Sequence, residues 1–213
     1  MKNKTYGFTL AEVLITLVII GVIAAMTIPT LINKTNNHEY VSRLKKTYST
    51  LSQATNRIIA EEGKPRADIG GWATTAENVF NLYKKYLSNT KECLLTTGCF
   101  AGTYRHMDNT SIVLTNSTAR YNLILADGSV MSVYNNPVSS DCSNSGSGTN
   151  NACLSVLVDV NGAKGPNVVG RDTFSFALKE DGLFPTGCDY NNCAPSSGWG
   201  CTCKVIRENA MNY

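Results

Sequence analysis

Apolar residues follow two patterns along this chain, with a change of regime just beyond Ile32. Residues 8–32 are almost entirely Phe, Leu, Val, Ile, Ala, Met, Thr and Gly, and residues 13–28 carry no charge. A helix over residues 8–32 is about 37 Å long at about 1.5 Å per residue, enough to cross a hydrocarbon core of about 30 Å. Residues 33–37 are polar. Then Val41, Leu44, Tyr48, Leu51, Ala54 and Ile58 recur at steps of three and four, one face of an amphipathic helix. Lys45, Lys46, Ser49, Ser52, Asn56 and Arg57 occupy much of the rest, and Gly63 and Pro65 end the pattern. The reading is one long helix, its first half suited to a membrane and its second half packed on a globular head.

In the head, Thr74-Thr75-Ala76-Glu77 reads as a capping box opening a short helix through Leu87. Residues 111–115, 120–126, 129–134, 153–160 and 173–178 read as strands, being alternating or β-branched. Asp127-Gly128 is a two-residue hairpin signal between the second and third of them. Residues 138–151 form a Ser/Asn/Gly loop. A helix followed by consecutive antiparallel strands gives an α+β fold, with one sheet laid over the second half of the helix. The expected divisions are 8–32 (membrane helix), 33–62 (amphipathic continuation) and 63–213 (head), with no internal repeat.

One carboxylate, Glu12, stands at the head of the apolar helix, where an ionised group is costly: about 2.5–3.5 kcal/mol at the centre of a membrane helix and less toward its edge. Lys2 and Lys4 precede it, placing the N-terminus in the cytoplasm by the positive-inside rule. An ordinary secretory signal or a plain single-pass anchor shares the basic start and apolar run, but leaves the carboxylate without a purpose. The sequence Gly7-Phe8-Thr9-Leu10-Ala11-Glu12, after a short basic leader and before a long apolar helix, resembles the class III signal of type IV pilins and type II secretion pseudopilins. The resemblance covers about the first 35 residues, Gly21 and Pro29 included. It implies a leader of residues 1–7, cleavage between Gly7 and Phe8 by a prepilin peptidase, and N-methylation of Phe8. It further implies that Glu12 meets the Phe8 amine of a neighbouring subunit during assembly, acting as a register selector; pairing within one helix is the alternative. Gly21 and Pro29 then give the helix room to loosen on packing, against a static kink at the membrane exit.

Eight cysteines, Cys93, Cys99, Cys142, Cys153, Cys188, Cys193, Cys201 and Cys203, all follow the helix. In an exported, loop-rich head they read as up to four disulfides. The favoured pairs are Cys93–Cys99 and Cys142–Cys153, with the last four stapling the C-terminal loops in an undetermined pairing. A four-cysteine zinc site at Cys188, Cys193, Cys201 and Cys203 is the alternative, although its spacing departs from paired zinc knuckles. No cofactor is required elsewhere, with one reservation. Asp159 and Asn161 begin like a calcium loop and Asp172 follows, but the twelve-residue pattern fails at Ala163 and Gly170. The competing reading is a turn braced by Asx hydrogen bonds.

The two histidines, His38 and His106, sit in no catalytic motif, and no nucleophile elbow, zinc-protease or phosphate-loop signature occurs. The expectation is a non-enzyme. Net charge is +3, of which Lys2 and Lys4 supply two, leaving +1 after the leader is removed, so nothing singles out nucleic acid as a partner. The function expected is that of a structural subunit, a pseudopilin or minor pilin of a type II secretion pseudopilus or type IV pilus. Its partners would be the prepilin peptidase/methylase, other pilins and an inner-membrane assembly platform, with the head outside the inner membrane before assembly. The alternative from another class is a surface-displayed binding module, an adhesin or DNA-capture tip, with recognition in loops 138–151 and 187–200.

Overall fold

The computed structural model describes residues 7–94, 98–112, 114, 120–134, 139–146, 149–189 and 193–213; the leader lysines Lys2 and Lys4 lie outside that set. The chain divides into two compact units, residues 1–38 and 39–213. One helix, α1 (Leu10–Glu62), contributes to both.

In the first unit α1 runs unbroken through Pro29. Proline removes one N–H from the helical ladder, and hydroxyls on either side turn back onto the backbone: Thr27 Oγ1 donates to the Ile23 carbonyl at 3.0 Å and Thr30 Oγ1 to the Thr27 carbonyl at 2.7 Å. Every large apolar side chain over residues 8–32 is exposed. The helix is long and apolar enough to cross a membrane, and an apolar surface of this extent finds a stable environment in lipid or against other helices.

In the second unit the same helix buries Val41, Leu44, Leu51, Ala54 and Ile58 of the stripe that the three-and-four spacing marks out, with Tyr40 buried beside them and Tyr48 half-buried. Against it lie α2 (Ala76–Tyr86) and an antiparallel sheet of six strands, so the architecture is α+β. The strands are β1 (Asn89–Leu94), β4 (Arg120–Leu125), β5 (Val130–Tyr134), β8 (Leu154–Asp159), β9 (Thr173–Lys179) and β10 (Gly182–Pro185), neighbours in that order. Leu123, Met131, Val156, Val158, Phe174 and Phe176 join the helices in the main core, and the Tyr48 ring stacks on Phe176 with centroids 5.4 Å apart. A smaller cluster forms around Ile124, Val130 and Leu157 of the same strands, with Cys93, Phe100, Tyr104 and Val169. The remaining elements are β2 (Tyr104–Arg105) with β3 (Ser111–Ile112), β6 (Asn144–Gly146) with β7 (Thr149–Ala152), and α3 (Thr202–Glu208).

Three local expectations need correction. The N-cap of α2 is Thr75, whose hydroxyl accepts the Asn78 N–H at 3.1 Å. Glu77 therefore closes no capping box with Thr74 and instead accepts from the Tyr121 hydroxyl at 3.4 Å. The β4–β5 turn has three residues rather than two. The Gly128 N–H donates to the Leu125 carbonyl and the Leu125 N–H to the Ser129 carbonyl, with Gly128 alone at positive φ (+84°). Asp127 keeps an ordinary φ because its carboxylate accepts the Ser129 N–H and hydroxyl, which favours a type I turn closed by a left-handed glycine. Within residues 138–151, expected as plain loop, β6 and β7 pair as a small hairpin. Val138, Ser147 and Gly148 of that loop, Val113 and Thr115 of the expected strand 111–115, and Tyr190–Asn192 of loop 187–200 lie outside the described residues.

Candidate processing and assembly segment

Residues 7–9 lie ahead of the helix, and Thr9 is its N-cap. The Thr9 carbonyl accepts the first helical bond from the Val13 N–H at 3.2 Å. The Glu12 N–H donates to Thr9 Oγ1 at 3.2 Å, while Glu12 Oε2 accepts the Thr9 N–H at 2.8 Å and the Thr9 hydroxyl at 2.9 Å. This is a capping box, in which N-cap hydroxyl and third-residue carboxylate satisfy each other's orphan donors. The signal for this box is Thr9-Leu10-Ala11-Glu12, with the spacing S/T-x-x-E, which the sequence reading above does not include. Glu12 thus has a local role in folding as well as the charge that the resemblance links to assembly.

The cap also fixes what lies upstream. Gly7 and Phe8 precede the first helical turn, Phe8 is 89% exposed, and a side chain at Gly7 would meet nothing. The bond between them therefore lies outside the helix. Gly21 likewise faces open space, so nothing among the described residues requires a glycine there.

In the head, the eight cysteines pair as Cys93–Cys99, Cys142–Cys153, Cys188–Cys203 and Cys193–Cys201, with no free thiol. The last bridge is nested inside the third. The four C-terminal sulfurs are thereby consumed in disulfides rather than gathered as zinc ligands.

The structure brings Asp159, Asn161 and Asp172 together. Asp159 is wholly buried; its Oδ1 accepts the Asn161 N–H at 3.1 Å and its Oδ2 accepts the hydroxyl of buried Tyr104. Asp172, also wholly buried, accepts the N–H groups of Asn167 and Val168, each at 2.7 Å. Burial, and then the charge of Asp172, push the Asp159 carboxyl up to about 8; burial raises Asp172 as well. Each of the four carboxylate oxygens already holds a donor, the pattern of an Asx-braced turn. Two amide oxygens, Asn161 Oδ1 and Asn167 Oδ1, are buried with no partner among the described residues.

The comparisons with known proteins agree with the N-terminal geometry. A family model of the prokaryotic N-terminal methylation motif matches residues 2–28, the prepilin-type signal of type IV pilins and pseudopilins. The match contains Gly7, Phe8, Glu12 and Gly21 and ends one residue before Pro29. A second model, of a family of unknown function (DUF6613), matches residues 30–194. Among curated proteins and among solved structures nothing matches the chain.

Proposed function

Since the chain belongs to DUF6613, a family of unknown function, its role has to be read from its own residues, and we propose that it is a filament subunit, a pseudopilin or minor pilin. The coarser statement is plain: with its methylation motif it is type IV pilin-like, and proteins of that kind are structural. The observation that carries the finer reading is the Gly7–Phe8 junction, lying ahead of a capped apolar helix whose large apolar side chains are all exposed over residues 8–32. Such a helix suits two successive environments, a bilayer before assembly and neighbouring helices afterwards. Prepilin peptidase cuts after Gly7 on the cytoplasmic face and Phe8 is methylated. The new amine of one subunit then meets Glu12 of the next. Desolvation of both charges is offset only when they are well paired, so the pair selects the register of addition. The head stays outside the inner membrane, held by its disulfides in an oxidising compartment.

The test is the mass of the N-terminal peptide from native membranes, with and without active prepilin peptidase. A peptide beginning at Phe8 with one added methyl, lost when the peptidase is absent, supports the reading. A chain beginning at Met1, or cleaved beyond Ala25, overturns it.

A second proposal concerns Asp159, Asn161 and Asp172, where the orphaned amide oxygens of Asn161 and neighbouring Asn167 offer ligands to a hard cation such as calcium, the alternative to the braced turn. Calorimetric titration of the full-length protein with calcium, repeated on Asp159→Asn, decides between them. No heat of binding in either protein leaves the braced turn.

A further inference from the structure

All sixteen Asp and Glu residues of the chain lie among the described residues, so any side-chain carboxylate paired with the half-buried arginine of β4 would be among them. Arg120, the first residue of β4, has none. Cations such as Arg105 and Lys164 are exposed and hydrated by water, whereas Arg120 is half-buried. Burial lowers its guanidinium below the ordinary arginine range, which is what an uncompensated charge in a poor solvent should do. Its contacts among the described residues are neutral: Ser132 Oγ at 3.5 Å, and the Tyr134 ring, whose centroid is 4.6 Å from Cζ.

The surroundings repeat this shortage. Arg120 stands opposite Tyr134, and Asn122 opposite Ser132, in the β4–β5 register. The two cross-strand pairs share one face of the hairpin, because side chains two residues apart point the same way. Asn122 is only 6% exposed, yet its Oδ1 has no partner among the described residues. Tyr134 is 37% exposed and Arg120 is only half-buried, so both members of the pair keep surface facing outside.

We propose that Arg120 receives a carboxylate from an acidic side chain of a neighbouring filament subunit, seated against Tyr134. The proposal rests on the filament reading above. A planar guanidinium held on an aromatic face presents its fork to a carboxylate, which can accept two parallel hydrogen bonds. One guanidinium matches one carboxylate in charge, unlike a phosphate dianion. The protein source follows from the N-terminal motif, which implies assembly beside other pilins, where side chains are presented at fixed positions.

The experiment compares full-length wild type, Arg120→Lys and Arg120→Glu in cells whose filaments are sheared off and weighed against the membrane pool. The expected result is a loss of incorporation of about tenfold or more for Arg120→Glu and a smaller loss for Arg120→Lys. Membrane level and disulfide state, read by non-reducing gel, should be unchanged. A photo-crosslinker in place of Tyr134 then identifies the neighbour. The proposal is supported if the captured peptide carries an Asp or Glu whose change to Arg restores incorporation of Arg120→Glu. It is overturned if Arg120→Glu enters filaments as wild type does, if the captured peptide has no acid, or if reversal restores nothing. Wild type itself absent from filaments sinks the filament reading and this proposal together; wild type present with an indifferent Arg120→Glu sinks the proposal alone.

Discussion

Tyr104 donates its hydroxyl to Asp159, and neither residue has any exposed surface. The pair ties β2 to the end of β8, next to a second buried carboxylate, Asp172. Asp159 is pushed up to about 8 by burial and by Asp172, against about 3.9 in an unfolded chain. The native state therefore keeps a proton at Asp159 that the unfolded chain has lost, across a window from about pH 4 to about pH 8. Where the native state binds more protons, stability falls as pH rises. Urea midpoints of the full-length protein in detergent and chelator should decline from the acid to the alkaline end of that window. Asp159→Asn, neutral throughout, should flatten the decline. Added calcium, if it binds there, would favour the ionised carboxylate and also flatten it in wild type. An equally steep profile in the Asn variant would remove Asp159 as its source.

Glu12 has two jobs that one substitution separates. Gln at the third helical position still closes a capping box, so Glu12→Gln keeps the bonds to Thr9 and removes the charge. The variant should insert in the membrane and be cleaved after Gly7, yet fail to enter filaments. Thr9→Ala does the reverse, losing about 1 kcal/mol of helix-start stability while leaving the carboxylate ionised, and should assemble with a milder defect. Filament yield per membrane-bound subunit is the measurement. Normal assembly of Glu12→Gln would reduce the residue to a cap.

Much of the fold was legible because its strongest patterns are long. The uncharged run at residues 13–28 and the stripe from Val41 to Ile58 need no tertiary information, and the strands of the sheet centre are short apolar runs, largely buried. The elements without a sequence signal are held by partners rather than by pattern. The strand β1 reads Asn-Thr-Lys-Glu-Cys-Leu, too polar to call from propensity, and is an edge strand defined by β4. At the other edge β10 ends in Pro185, a residue that argues against a strand unless the edge is open. The helix α3 has seven residues, too few to stand alone, and begins beside two bridged cysteines. At the candidate site the signal Thr9-x-x-Glu12 was in plain view. The convergence of Asp159 with Tyr104, 55 residues apart, was not, since spacing in sequence says nothing about which loop folds over which strand.

Gly198 packs where no side chain fits. It holds φ at +79°, and a Cβ there would lie 1.9 Å from the Val169 carbonyl oxygen and 2.5 Å from its carbon. Those neighbours are backbone, in the segment that Asp172 braces, so neither can swing aside. Gly198→Ala should cost about 2–3 kcal/mol from strain and displaced backbone together. At Gly102, where a Cβ meets nothing, the same change should stay within about 0.5 kcal/mol. Denaturant melts of both variants, paired with the wild type, make the comparison; equal midpoints would mean the C-terminal loop is loose enough to yield.

The nested bridges predict an order of loss among the disulfides. Cys188–Cys203 spans 15 residues and Cys193–Cys201 spans 8 within it, and the longer span removes more freedom from the unfolded chain, by about 0.6 kcal/mol per doubling. The outer bridge also has a second effect. Cys203 lies in the first turn of α3, where its N–H donates to the Thr186 carbonyl at 3.0 Å, and its neighbour Thr202 Oγ1 accepts the Ser175 N–H at 3.2 Å. These bonds fasten α3 to β9 and to the chain just after β10. Replacing Cys188 and Cys203 with Ala should therefore cost about 3 kcal/mol or more and raise amide exchange through residues 202–208. Replacing Cys193 and Cys201 should cost less and leave that exchange slow, because the outer bridge still anchors the helix. Equal exchange in the two double variants would show that α3 is held by its hydrogen bonds and by buried Val205, and not by the sulfur link.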